Sequence, residues 1–188
     1  MERTEAARIE ASRTEAAQRA QAFFEKGYNC CQSVFLAFAE HYGFDQDTAA
    51  RLSASFGGGV GRLREVCGAV SGMALVCGLE CGATDGADQA GKAKNYEQMQ
   101  QLAARFQAQN GSLICRELLG VDKQQQVTEM TGGMGNHQPQ ARTEKYYAVR
   151  PCKELVGTAA DIIEEWLSKR ADETAESMSE DETRHEEE

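Results

Sequence analysis

Proline is nearly absent from this chain of 188 residues: Pro139 and Pro151 are the only two. Aromatic residues make up 7% of it, which argues against a β-sandwich, and 18 glycines are far too few for a collagen-like chain. Long apolar runs are missing as well. The longest, residues 66–79, is broken by Ser71 and falls short of the roughly 20 residues that cross a bilayer, so no membrane insertion is expected. Met1-Glu2-Arg3-Thr4-Glu5 has nothing of a secretory signal, and the expected location is cytoplasmic. There is no basic stripe: 20 Lys+Arg face 30 Asp+Glu for a net charge of −10. Nucleic acid is therefore excluded as a partner, because phosphate neutralisation needs clustered Lys and Arg. No Cys-x-x-Cys pair is present, which excludes the usual thioredoxin and zinc-ribbon patterns, and no Cys-x-x-Cys-His, which excludes covalent haem. Neither a Ser/His/Asp grouping nor His-Glu-x-x-His occurs.

What is present is helical pattern, acid at one end, and cysteine. Residues 171–188 hold nine acids and one base, leaving 19 bases and 21 acids in residues 1–170. The expectation is one helical domain over 1–170 followed by a disordered acidic tail over 171–188, since such a tail buries too little apolar area to offset its ordering entropy. Within the domain, helical periodicity runs over 4–26 with Ile9, Ala16, Ala20, Phe23 and Phe24 on one face, and stops at Gly27. Asn29 caps a second helix to Tyr42, closed by Gly43, and Asp47 caps a short one to about Phe56. Residues 66–79 are apolar all round, which predicts a buried central helix whose Gly68 and Gly72 share a face. An amphipathic helix over 87–109 places Tyr96, Met99, Leu102, Ala103 and Phe106 inward. A turn capped by Ser112 reaches Leu119, and residues 121–149 show no period. Pro151 opens a last helix to about Lys169, with Leu155, Ala159, Ile162, Ile163 and Trp166 inward. The fold class is all-α, a bundle of four or five main helices around a glycine-rich centre.

Seven cysteines in a reducing compartment point to metal binding or thiol chemistry rather than a disulfide framework. Cys30, Cys67, Cys115 and Cys152 fall in the first turns of four predicted helices. A helix start carries unpaired N–H groups and about half a positive charge, which favours a thiolate over a thiol. Cys77 and Cys81 share a face at the far end of the central helix, where packing is the expected role. Cys31, beside Cys30, is a spare thiol or a core residue.

Cys67-Gly68-Ala69-Val70-Ser71-Gly72 resembles the Cys-Gly-Ala-x-x-Gly hexapeptide of a microbial family named for its C_GCAxxG_C_C cysteine pattern. Its surroundings agree: Gly27-Tyr28-Asn29-Cys30, Phe56-Gly57-Gly58-Gly59, Cys115-Arg116-Glu117-Leu118-Leu119-Gly120 and a final Cys152, over about residues 20–165. The resemblance implies that Cys30, Cys67, Cys115 and Cys152 are the family's four cysteines, with a redox role. Similar cysteine-bearing helical domains accompany an iron–sulfur centre in split-Soret cytochromes. Cys31, Cys77, Cys81, the charged first helix and the acidic tail depart from the family pattern.

Three functional readings follow. In the first, the four cysteines ligate an iron–sulfur centre and carry electrons. In the second, a Cys30–Cys67 or Cys115–Cys152 pair cycles between thiol and disulfide without a cofactor. In the third, the bundle is a scaffold with structural cysteines. Zinc fits less well, because structural zinc draws its ligands from tight pairs. His137 is a lesser candidate for a ligand or proton donor; His41, Arg62, Arg64 and Arg116 read as surface residues. Gly57 to Gly61 lack the lysine and spacing of a phosphate loop and read as a place of close chain passage. Expected partners are a redox partner and, through the glycine face, a second copy of the chain.

Overall fold

The computed structural model describes residues 13–120, 137–139, 141 and 143–186. Among them are eight α-helices and no strand, so the all-α expectation holds. The helices are α1 (Glu15–Glu25), α2 (Cys30–Ala39), α3 (Gln46–Ser53), α4 (Gly68–Cys81), α5 (Gln89–Asn110), α6 (Cys115–Leu118), α7 (Glu144–Val149) and α8 (Cys152–Glu186). Helix α2 packs on α1, α3, α4 and α8, and α8 packs in turn on α1, α4 and α5. Their shared interior holds Phe24, Val34, Phe35, Met73, Val76, Leu102, Phe106, Val156, Ile162 and Ile163, each at most 2% exposed.

Several boundaries differ from the sequence expectation, each for a local reason. Helix α1 starts at Glu15: the Thr14 hydroxyl caps it through Ala17 N, and Asp161 and Glu164 of α8 accept from the N–H groups of Thr14 and Ala16. Residues 4–12 of the expected helix, Ile9 among them, lie outside the described residues. Helix α3 is capped by Asp45 rather than Asp47, through Thr48. Helix α4 begins two residues later than expected because Val66 forms an isolated antiparallel bridge with Ile114. It is not buried all round: Ala74 and Leu79 are exposed, since α2, α5 and α8 cover only part of its circumference. On α5 the inward face holds Leu102 and Phe106, while Tyr96 is 62% exposed. Residues 144–149 form α7, capped by Thr143, where no period was evident; residues 121–136, with the glycine-rich 131–136, lie outside the described residues. Helix α8 continues past Lys169 to Glu186, and residues 158–186 contain no glycine or proline that would stop it.

Two features of this packing position the cysteines. The first is the crossing of α2 and α4. A Cβ on Gly72 would lie 2.7 Å from Val34 Cβ, and one on Gly68 would lie 3.1 Å from Cys30 Cβ and from Cys31 N. The glycine face thus brings two backbones together and sets the starts of α2 and α4 side by side. The second is the bridge at Val66 and Ile114. Cys67 N donates to Leu113 O at 2.8 Å and Cys115 N to Glu65 O at 2.7 Å, which ties the start of α6 to the start of α4.

Candidate functional site

Each of the four predicted cysteines stands at a helix start. Cys30, Cys115 and Cys152 are the first residues of α2, α6 and α8, and Cys67 is the N-cap of α4. The start of α2 is held most firmly. Asn29 accepts from Cys31 N and Gln32 N, Gln32 returns a bond from Asn29 N, and the Asn29 amide donates to Ala54 O. All four cysteines line one cavity of 440 Å³. The thiols of Cys30 and Cys152 are hydrogen-bonded to each other. That pairing differs from the Cys30–Cys67 and Cys115–Cys152 pairs considered from sequence. Cys30 is half-buried; Cys67, Cys115 and Cys152 are buried.

The remaining cysteines are elsewhere. Cys31 is fully buried in the core and does not line the cavity, so of the vicinal thiols it is Cys30 that faces the cavity. Cys77 and Cys81 lie at the opposite end of α4, with their sulfurs 3.9 Å apart.

The cavity wall is cationic. Arg62, Arg64, Arg150 and His137 line it, and among the described lining residues there is no Asp or Glu, in a chain of net charge −10. Arg64 is 3% exposed and hydrogen-bonds the Cys115 sulfur, which corrects the expectation of a surface residue. Its direction comes from the glycine loop. Gly58, Gly59 and Gly61 alternate with Val60, Arg62 and Arg64 in left-handed backbone, φ 54–73°. Three non-glycine residues in that region cost roughly 1–3 kcal/mol each, strain of the kind that collects around functional sites. A Cβ on Gly59 would meet Glu65 N at 2.6 Å and Cys115 Cβ at 2.8 Å, and one on Gly57 would meet Asn29 Cγ at 2.5 Å. The loop therefore serves close passage, against the cap of α2 and against Cys115. Arg116 pairs with Glu65 at 2.9 Å. His41 is exposed and stacks edge-on against Tyr42, far from this wall in role and contact. His137, a lesser candidate from sequence, is at the exposed rim.

The sulfurs' acidity runs opposite to the sequence expectation. Burial pushes Cys67 up to about 12, although the N–H groups of Ala69 and Val70 pull the other way. Cys30 lies well above the ordinary thiol value, first through its hydrogen bond with Cys152 and then through burial. Cys115 is also raised by burial, with Arg64 opposing. Free of any cation, these are thiols rather than thiolates.

One residue of the wall, Arg150, escaped the sequence reading, although it had a visible signal, a base directly before the Pro-Cys pair that opens α8. Arg64 was legible as a base near the cysteine turns but not as a buried one, because its burial depends on left-handed backbone at a non-glycine position.

The family model described as "Putative redox-active protein (C_GCAxxG_C_C)" matches residues 28–166, a span that contains all four cavity cysteines. The chain belongs to this family. Membership in the C_GCAxxG_C_C family carries a redox-active role, as the cysteine pattern implied. No curated protein and no solved structure matches the chain.

Proposed function

We propose that Cys30, Cys67, Cys115 and Cys152 ligate an iron–sulfur centre and that the protein transfers electrons through it. The observation that carries this reading is four sulfur donors from four separate helix starts around one cavity, with no carboxylate among its described lining residues. The donor set fits: soft thiolates select iron–sulfur clusters, zinc or monovalent copper. A lone zinc fits less well, because structural zinc draws its ligands from Cys-x-x-Cys-type pairs, which this chain lacks. Among the described residues no group of three or more His, Cys, Asp or Glu stands ready to hold a metal ion, so the four sulfurs must draw together around the centre when it binds. When bound, such a centre supplies one-electron transfer.

The chain's own residues prepare the site for it. Buried thiols give up their protons when a bound cation replaces them. The helix starts, Arg64 and Arg150 then face the thiolates with positive charge. Leu118, Leu119 and Leu155 form the apolar part of the wall and limit water, which together with hydrogen bonding to sulfur tunes a cluster's potential.

The test is anaerobic purification from an iron-replete host, with a visible spectrum and iron and sulfide assays. Brown protein with stoichiometric iron and sulfide is expected; colourless protein that takes up no iron on reconstitution overturns the proposal. One contact favours a second reading, cofactor-free thiol–disulfide cycling, now between Cys30 and Cys152. It requires a thiolate as nucleophile, which burial disfavours here. Loss of two titratable thiols on mild oxidation of an iron-free protein would support it.

A further inference from the structure

Cys77 and Cys81 stand one turn apart at the end of α4, outside the four-cysteine cavity and unused by it. Their Sγ atoms are 3.9 Å apart. Cys77 is 1% exposed and Cys81 is half-buried, so the pair is approached from the Cys81 side. The Asn95 side-chain amide of α5 donates to both sulfurs, at 3.6 Å to Cys77 and 3.4 Å to Cys81, and is itself steadied by the Cys77 carbonyl at 3.3 Å.

The geometry disfavours a disulfide and favours an inserted atom. Side chains four apart on a helix have Cβ atoms about 5–6 Å apart, whereas a disulfide needs roughly 3.5–4.5 Å. Closing that bond would unwind the last turn of α4. Two sulfur–metal bonds of about 2.3 Å set the sulfurs about 3.8 Å apart at a tetrahedral angle, about 4.0 Å apart at the roughly 120° of a three-coordinate ion and about 4.6 Å apart in line, and the spacing present falls within that range. The cavity cysteines sit at helix starts, but this pair sits at a helix end, whose carbonyls favour an incoming cation and disfavour bare thiolates, so the two sulfurs keep their protons until an ion displaces them. The ligand count then selects the ion. Among the described residues no third His, Cys, Asp or Glu completes a metal-holding group. Glu80 is engaged by the Tyr42 hydroxyl at 2.9 Å and by Arg170 at 3.3 Å. Two soft sulfurs without a hard ligand suit a soft ion of low coordination rather than zinc, which takes four ligands, or calcium, which takes oxygen.

We propose that Cys77 and Cys81 form a binding site for one soft, low-coordinate cation of the monovalent copper type, with Asn95 orienting the two sulfurs. Binding breaks two S–H bonds and forms two S–Cu bonds; both protons go to solvent and no electron is transferred. The product bears one net negative charge, on which the Arg170 guanidinium acts favourably and its partner Glu80 unfavourably.

The experiment titrates the reduced full-length protein anaerobically against the coloured copper(I)–bicinchoninate complex. Because the cavity thiols also take up copper, the reading is a difference between variants. Cys81→Ser, at the half-buried position, is expected to take up one equivalent fewer than the unaltered protein with an unchanged far-UV spectrum. Asn95→Ala is expected to keep the stoichiometry and compete about tenfold less well. Equal uptake by Cys81→Ser, or unaltered competition by Asn95→Ala, overturns the proposal. A Cys77–Cys81 disulfide found by mass spectrometry after mild oxidation, with helicity unchanged, overturns it as well. Cys30→Ser separates the two sites: it removes the cavity's iron and leaves the copper difference in place.

Discussion

At Cys67 two effects of opposite sign act on one sulfur. The helix terminus offers about 0.3–1 kcal/mol to a thiolate, while the rise from 9.0 to about 12 that burial produces corresponds to roughly 4 kcal/mol against it. Burial wins, and a pH dependence follows. A thiol whose folded value exceeds its unfolded value holds its proton more tightly in the native state. Its contribution to stability is intact below about pH 9 and is lost as pH rises toward 12. Cys31, also pushed up to about 12, adds a second such contribution. In the reduced, metal-free protein each should forfeit about 2 kcal/mol at pH 10.5. Urea midpoints at pH 8 and 10.5 measure this: the decline is expected to be shallower in Cys31→Ala, and an identical slope would remove the thiols as its cause.

Between elements, the crossing of α2 and α4 decides whether the helix starts meet. Gly72→Ala places a methyl group 2.7 Å from Val34 Cβ, a branched atom fixed in a helix interior. The helices must separate, at about 1–3 kcal/mol. Thermal or urea denaturation should show that loss, whereas Gly78→Ala, which meets nothing within 4 Å, should stabilise α4 by its helix propensity. Asn29→Ala should cost about 1 kcal/mol as a lost cap, and it also releases the bond to Ala54 O that ties α2 to the end of α3. Faster alkylation of Cys30 in that variant, relative to Cys115, is the signature expected of a loosened helix start.

The molecule as a whole divides its cysteines by polarity. Four meet at the positive starts of helices, inside a cationic wall; two stand at the negative end of α4; Cys31 is core. Cys67→Ala is therefore expected to abolish iron-dependent absorbance, while Cys77→Ala retains it. Equal losses from both, with helicity intact, would undo this division. Arg64→Met, which keeps volume but removes the charge facing Cys115, is expected to lower the reduction potential of the bound centre with little change in iron content. Voltammetry on the purified protein reads that shift.

Periodicity and caps made the helices legible. Asn29, Gly43, Gly111 and Gly120 stop or start elements close to where they were expected, because capping is a matter of a few neighbouring residues. For the same reason the placement of the four cysteines at helix starts could be read directly. Cys31 could be separated from Cys30 only once a helix face had been oriented against a neighbour. What tertiary structure decided was everything that depends on distant segments meeting: the 2.7 Å closeness at Gly72, the Val66–Ile114 bridge that carries Cys115 to Cys67, and the inward turn of Arg64. It also reversed the acidity of the thiols, since desolvation is set by what packs around a sulfur and not by its place along a helix.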